Sequence, residues 1–235
     1  MEQQKNATGK PDVRAGQLAG NRKIGNKRAG RVLPCSFLWE IERMTSKRDA
    51  IGIITAAAKG YHKSLCGKQF LIACDGMEFR EVAFMPRNFS HFTGLVRRCS
   101  ATRFYDLARS GHLSERDFDF DDLGNAQRKL AVIGHLSDLF NAPALYGLFL
   151  NSGLYISADY FVGKSRLSVG FRKGRAFDVP VSLYNEDIRK LTYQPRRIIA
   201  VWEKPIGAAE YTALTYSRID DPGALLAAYY EQGRD

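Results

Sequence analysis

The spacing of the apolar residues changes near residue 144, and this change constrains the fold more than any other feature. Before it, apolar side chains recur three and four residues apart over 46–65 and 125–140, which predicts helices. After it, short runs alternate with a period of two, separated by glycine and asparagine, which predicts consecutive strands. Helices segregated from an antiparallel meander indicate an α+β domain rather than a parallel-sheet fold.

Capping and turn residues give the predicted elements their limits. Ser46 opens the first helix and Gly67 follows its end, while Asp75-Gly76 joins two strands in a hairpin. Ser100 caps a second helix that stops at Gly111. The remaining predicted helices are Asn125–Phe140, Ser182–Leu191 and Pro222–Gln232. The predicted strands are Gln69–Cys74, Glu78–Met85, Leu145–Leu150, Leu154–Ser157, Asp159–Gly163, Leu167–Arg172, Ala176–Val179 and Arg197–Glu203.

The positive charge is concentrated at the amino terminus. The chain has 35 Lys+Arg against 25 Asp+Glu, a net charge of +10, and residues 1–32 contribute six of those charges. That stretch has almost no large apolar residues, so we predict a basic, disordered tail over 1–43 and a single domain over 44–235. Two interpretations of the tail stay open. It is a basic arm that lies along phosphates, or it has no such function and is either a solvated tail or a stretch upstream of a true start at Met44.

Several classes of protein are disfavoured by what the sequence lacks. The longest apolar runs fall far short of the roughly 20 residues that cross a bilayer. The four cysteines form no CxxC pair, and the common cofactor-binding and hydrolase motifs are missing. The acidic residues of 115–122 are better explained as a solvated loop than as a metal site. We therefore expect a cytoplasmic protein with reduced thiols, no cofactor and no membrane partner.

Two groups of residues could carry chemistry. His91 lies in a phenylalanine-rich loop at a strand exit, beside Thr93 and Gly94, where packed neighbours can hold an imidazole with one side open. A histidine that only hydrogen-bonds within its loop is the equally weighted alternative. The second group consists of cations interleaved with aromatic residues along the meander, among them Arg172 and Arg189. Such a surface suits phosphates and bases, although solvated strand edges give the same composition.

Five motifs in this order resemble a known family. They are His91–Leu95 (HFTGL), Ala158–Gly163 (ADYFVG), Val169–Phe171 (VGF), Pro180–Arg189 (PVSLYNEDIR) and Pro195–Val201 (PRRIIAV). Together they are similar to the phage-associated nuclease-like domains grouped with the barnase, EndoU, colicin and RelE ribonucleases. The resemblance spans roughly residues 48–205.

The resemblance implies a barnase/RelE-like nuclease fold, an antiparallel β-sheet packed against helices, and a metal-independent ribonuclease activity. In that class of reaction the 2′-hydroxyl of RNA attacks the adjacent phosphorus, so the protein supplies a base, an acid and cations. We assign His91 as general base or acid, and Thr93 and Ser182 as phosphate hydrogen-bond donors. Arg172 and Arg189 would stabilise the transition-state charge.

The leading hypothesis is therefore a toxin-like RNA endonuclease of phage or prophage origin, with RNA as substrate and an antitoxin or immunity protein as partner. The alternative is a catalytically degenerate module of the same fold that binds RNA or a protein. A transferase that holds a nucleotide in the cationic groove is a third hypothesis.

Overall fold

The computed structural model describes residues 46–150 and 157–232. The predicted tail, 1–43, and the predicted strand over 154–157, except its last residue, lie outside these residues. The helices are α1 (Lys47–Ser64), α2 (Ala101–Ser110), α3 (Asn125–Leu130), α4 (Ile188–Leu191) and α5 (Pro222–Gln232), with 3₁₀ segments at Pro86–Phe92 and Ile133–Asp138. The strands are β1 (Lys68–Cys74), β2 (Glu78–Ala83), β3 (Val96–Arg97), β4 (Phe118–Asp119), β5 (Leu145–Phe149), β6 (Tyr160–Gly163), β7 (Ser168–Arg172), β8 (Val179–Tyr184), β9 (Thr192–Pro205) and β10 (Ala213–Ser217).

The ends of the first two helices follow from their local sequence. Ser46 caps α1, since its hydroxyl accepts a hydrogen bond from the amide of Asp49 at 3.1 Å. Ser100 caps α2 in the same way, and Gly111 ends α2 in the left-handed conformation, with φ of 78°. Both predicted helices are confirmed.

The main sheet is antiparallel and curls almost onto itself. Its strand order is β2-β1-β9-β5-β6-β7-β8, with β10 paired to β9. The two outer strands meet where the amide of Ala83 donates to the carbonyl of Asp178 at 3.0 Å, and the amide of Asp178 donates to the carbonyl of Glu81 at 2.7 Å. These bonds satisfy backbone groups that an open sheet edge would expose. The architecture confirms the predicted α+β class.

The largest core lies between one face of the sheet and the helices. It is rich in aromatic side chains, which include Tyr61, Phe70, Phe84, Phe92, Phe104 and Phe140. The other face of the sheet carries two smaller clusters, one around Trp202 beneath α5 and one around Phe161 beneath α4. Within 46–150 and 157–232, no helix is long and apolar enough to cross a membrane.

The predicted helix over 125–140 is broken in two. The chain leaves the α conformation at Val132, where φ is −125° and ψ is −7°, and continues as a 3₁₀ segment. The break allows the adjacent side chains Val132 and Ile133 both to enter the core. A continuous helix would turn one of them about 100° away from the other.

The region that follows β7 differs most from the prediction. Residues predicted as a strand over 176–179 and a helix over 182–191 form β8, a turn and the short α4. Ser182 pairs with Gly170 of β7, and Asp187, not Ser182, caps α4. Pairing with a neighbouring strand therefore overrides the capping signal of Ser182. The structure also extends β9 to 14 residues and adds β10, which the sequence analysis missed.

Candidate functional site

The loop that presents His91 is fixed by its apolar neighbours. Phe89 and Phe92 are fully buried, whereas His91 between them is exposed. The tight 3₁₀ geometry of Pro86–Phe92 turns residues one position apart in different directions. The two phenylalanines therefore anchor the loop in the core and leave the imidazole at the surface.

A side-chain amide ties this loop to strand β8. The Asn88 amide oxygen accepts a hydrogen bond from the amide of Met85 at 2.8 Å, which closes the first turn of the segment. The Asn88 amide nitrogen donates to the carbonyl of Pro180 in β8 at 3.4 Å. The loop that carries His91 is thereby held beside the strand that carries Ser182.

Gly94 brings α3 against the same loop. Its φ is +69°, and a Cβ there would lie only 3.0 Å from the main-chain nitrogen of Ala126. Only glycine combines that backbone conformation with so close an approach. As a result the first turn of α3 packs on the loop, and Lys129 at its last turn reaches the site.

Lys129 joins the elements of the site. Its Nζ donates to the main-chain carbonyl of His91 at 2.8 Å and to the hydroxyl of Ser182 at 3.0 Å. Burial disfavours the charged ammonium and lowers the pKa of Lys129 to about 8. The structure thus brings His91 and Ser182 together through a lysine that the sequence analysis did not identify.

The imidazole of His91 lies in a positive environment. Although the residue is exposed, one side of the ring packs on the protein, and this partial burial is the main cause that lowers its pKa below the ordinary value; the charges of Arg97 and Lys129 lower it further. Each of these effects disfavours the imidazolium ion. At neutral pH the ring is therefore largely unprotonated and able to accept a proton.

Lys129 and Ser182 line a cleft of about 520 Å³ between α3 and β8, and His91 adjoins the cleft through the contact of its main-chain carbonyl with Lys129. Its polar lining consists of Asn125, Arg128, Lys129, Ser182, Asn185 and Glu186. Two cations against one carboxylate leave the lining net positive. An anion that enters the cleft would therefore meet complementary charge.

Acidic residues of the segment 115–122 contact residues that line this cleft. Asp121 accepts hydrogen bonds from the side chain of Asn125 at 2.6 Å and from its amide at 2.9 Å. Asn125 in turn accepts from the Arg128 guanidinium at 2.6 Å. Asp119 of the same loop pairs with Lys47 and Arg98. Of the acids predicted to be solvated, Asp119 therefore pairs with two cations, and Asp121 holds the Asn125 side chain that contacts Arg128. Among the described residues, no three His, Cys, Asp or Glu side chains are grouped to hold a metal ion.

Three predicted site residues lie elsewhere. Thr93 is fully buried, and its hydroxyl donates to the carbonyl of Ser90 at 2.8 Å, so it holds the loop rather than facing a phosphate. Arg172 ends β7, where it donates to the carbonyl of Ser157 at 3.3 Å. Arg189 is paired with Asp187 at 3.0 Å. Within the described ranges, neither arginine is among the residues that line the cleft.

The roles of Lys129 and Arg128 could not be predicted from the sequence, because both follow from the packing of α3. The residues that Lys129 contacts lie 38 positions before it and 53 after it. The one available signal was the Arg-Lys pair inside the predicted helix over 125–140, and charged pairs on helices are more often a solvated face. The other three histidines, His62, His112 and His135, are exposed.

An antiparallel sheet packed against helices, with the Lys129 ammonium in a net-positive cleft and His91 next to it, defines an α+β domain whose cleft can attract an anion. Residues 53–220 match the model of the family described as phage-Barnase-EndoU-ColicinE5/D-RelE like nuclease4. The match covers well over half of the chain, and the protein belongs to this family of phage-type, nuclease-like domains. This confirms the predicted resemblance. No curated protein and no solved structure matches the chain.

Proposed function

We propose that this protein is a metal-independent RNA endonuclease whose active site is the cleft between α3 and β8. The observation that carries the proposal is the position of the Lys129 ammonium, hydrogen-bonded at 2.8 Å to the main chain of His91 and at 3.0 Å to Ser182. A base, a cation and a hydroxyl are then available around one phosphodiester. Membership of a nuclease-like family supports the same class of reaction.

His91 acts as the general base. Its neutral imidazole accepts the proton of the ribose 2′-hydroxyl, whose oxygen then forms a bond to the adjacent phosphorus. The depressed pKa of His91 supports this role, because an unprotonated ring is needed at the start of the step. Ser182 donates its hydroxyl hydrogen to a phosphate oxygen, since its own oxygen already accepts from Lys129.

Lys129 acts as the general acid and as a cation. Its ammonium offsets the charge on the phosphorane, and its proton passes to the 5′-oxygen as the P–O5′ bond breaks. A pKa of about 8 keeps Lys129 protonated at neutral pH and makes it a better proton donor than an ordinary lysine. The products are a 2′,3′-cyclic phosphate and a free 5′-hydroxyl, and the reaction consumes no water.

Incubation of the purified protein with a labelled RNA oligonucleotide in excess chelator tests this proposal. We expect cleavage with 2′,3′-cyclic phosphate ends, and a loss of at least about 100-fold in rate for His91→Ala, as for removal of a general base. His112→Ala is the matched control, because His112 is also exposed and its ring hydrogen-bonds to Ser110 at the end of α2, away from the cleft. Cleavage that chelator abolishes, or that survives His91→Ala, would overturn the proposal.

The same assay distinguishes the endonuclease from the alternative hypothesis of a binding module. A catalytically degenerate module would bind the oligonucleotide with a steep salt dependence and leave it intact.

We further propose a toxin-like role in a phage or prophage, with the bacterial cytoplasm as site of action and an antitoxin or immunity protein as inhibitor. Growth arrest on induced expression of the wild type, absent with His91→Ala, is the expected result for that role.

A further inference from the structure

A second polar cluster lies at one end of the sheet, outside the cleft. We define the sheet-end patch by Glu78, Arg80, Leu148, Tyr193 and Arg196. Tyr193 pairs with Leu148 across β9 and β5, and Arg196 pairs with Tyr146. Tyr146 and Leu148 lie two positions apart on β5 and so share a face, and the extra residue of β9 between their partners keeps Tyr193 and Arg196 on that same face. None of the five lines the cleft.

The patch carries uncompensated positive charge. Glu78 accepts hydrogen bonds from Arg80 at 2.6 Å and from Arg196 at 3.1 Å. One carboxylate is thus shared by two guanidinium groups, which leaves a net charge of +1 in the contact. The Arg196 side chain is 51% exposed, so the excess charge faces solvent. A phosphate oxygen could bind its remaining N–H groups.

Aromatic rings make the patch rigid. The Arg80 guanidinium lies 5.8 Å from the ring centre of Tyr146 and 5.7 Å from that of Tyr160, within the range of cation–π attraction. The Tyr146 hydroxyl donates to Glu78 at 2.8 Å. The core therefore positions Arg80 and Glu78, and Glu78 contacts Arg196 at the rim.

Apolar surface adjoins this charge. Tyr193 is 62% exposed and Leu148 is 51% exposed, although the pairing of their strands sets them side by side. An exposed ring beside an exposed leucine forms a flat apolar surface, and exposed apolar surface often marks a binding site. A partner that offers both a planar apolar face and a negative charge fits this combination, and a nucleotide has both.

We infer that the sheet-end patch is a second contact for single-stranded RNA, in which a base stacks on Tyr193 and its phosphate binds Arg196. The inference rests on the proposed function for its RNA partner, but it adds a binding surface separate from the cleft. Stacking on an exposed tyrosine tolerates any base, so this contact would add affinity for long substrates rather than sequence preference.

Binding of a fluorescent uridine oligonucleotide of about 12 nucleotides to His91→Ala protein tests the inference, since that variant is expected not to cut it. We expect a further Tyr193→Ala change to weaken binding about tenfold, as loss of one stacked base does. Tyr193→Phe keeps the ring and should keep the affinity. Tyr193 is exposed, so its replacement leaves the core intact.

The salt dependence tests the phosphate contact. Arg196→Gln should reduce the slope of log K against log salt by about 0.7, the contribution of one phosphate contact on a single strand. Arg218→Gln removes an exposed cation outside the patch and should leave the slope unchanged. Unaltered binding by Tyr193→Ala, or equal slopes for both arginine variants, would overturn the inference.

The test of the sheet-end patch and the test of the endonuclease can fail separately. If the wild type fails to cleave RNA but Tyr193→Ala still weakens binding, the proposed endonuclease is wrong and the patch stands. If cleavage is confirmed and Tyr193→Ala has no effect on binding, only the patch is wrong. A poly-glutamate peptide that binds as tightly as the oligonucleotide would indicate a site for acidic protein segments and would also contradict the inference.

Discussion

At the scale of single residues, partial burial lowers the pKa values of both proposed catalytic groups. The pKa of His91 lies below its usual value of about 6.5, and that of Lys129 falls to about 8. Between these two values the imidazole is neutral while the ammonium keeps its proton. The base and the acid are then both in the form that the reaction requires.

This order of pKa values predicts a bell-shaped dependence of cleavage rate on pH. The rate should rise as His91 loses its proton, below pH 6.5, and fall as Lys129 loses its proton near pH 8. Lys129→Arg should remove the alkaline limb, because a guanidinium stays protonated there. Single-turnover rates across the pH range measure both limbs. A rate that stays constant from well below pH 6 up to pH 9 would show that neither group transfers a proton.

The exposure of His91 could be predicted from sequence, but the setting of Lys129 could not. Phe89 and Phe92 flank His91 and are local evidence for a loop anchored in the core. The ammonium of Lys129 depends instead on residues 38 and 53 positions away. Thr93 illustrates the same limit, since a hydroxyl that faces a ligand and one that bonds its own loop have the same local sequence.

At the scale of elements, the helices that were predicted correctly have caps within their own sequence. The errors fall where two local signals compete, as in the segment that begins at Ser182. A serine followed by acidic residues favours a helix start. The pairing of Val169 with Leu183 and of Gly170 with Ser182 favours a strand, and it prevails. A capping signal depends only on the residues next to Ser182, so it contains no information about pairing with β7.

The contact between the His91 loop and α3 depends on one glycine. Gly94→Ala should lower the free energy of unfolding by at least about 1 kcal/mol, because a Cβ is strained at positive φ. The 3.0 Å approach to Ala126 should also displace α3, and with it Lys129, and reduce cleavage. Urea denaturation and the cleavage assay measure the two effects.

Gly52→Ala is the matched control. Gly52 lies in α1, is exposed, and its Cβ would meet open space. Alanine there should raise the free energy of unfolding by about 0.5–1 kcal/mol, as it does in a helix interior. Cleavage should be unchanged. Equal effects of the two substitutions would contradict the proposed packing role of Gly94.

The hydroxyl of Thr93 gives a second test of the same loop. Thr93→Val keeps the shape but leaves the amide of Leu95, which bonds the hydroxyl at 3.3 Å, without that partner. We expect the free energy of unfolding to fall by about 1–3 kcal/mol, the cost of an unsatisfied buried donor. Thr212→Val, at an exposed position, should have little effect. A stability equal to that of the wild type would leave Thr93 without a structural role.

At the scale of the whole molecule, the sheet is held together by pairings between distant parts of the chain. Strand β9 pairs with β1, more than 120 residues earlier, and with β5 and β10. The alternation of apolar residues predicts that strands exist but does not specify their partners. The closure between Asp178 and the edge of β2 is likewise invisible in the sequence, because it involves two backbone hydrogen bonds rather than a side-chain pattern.

A side-chain hydrogen bond stabilises the contact between Asp178 and β2, and a substitution can remove it. The Tyr160 hydroxyl donates to the buried Asp178 carboxylate at 2.7 Å, and that carboxylate also accepts from the amide of Gly174. Tyr160→Phe should lower the free energy of unfolding by about 1.5–3 kcal/mol, as for a hydrogen bond to a charged group. The loss should be local, since the ring itself remains in the core.

Amide hydrogen exchange distinguishes a local opening from general destabilisation. In Tyr160→Phe, the amides of Ala83 and Asp178 should exchange much faster, while those of the β1–β9 pairing keep most of their protection. Tyr193→Phe removes a hydroxyl from an exposed tyrosine and should change neither set. Equal acceleration across all strands would mean that the curled sheet opens as one cooperative unit. In that case the contact between β2 and β8 would be a consequence of the fold rather than a separable closure.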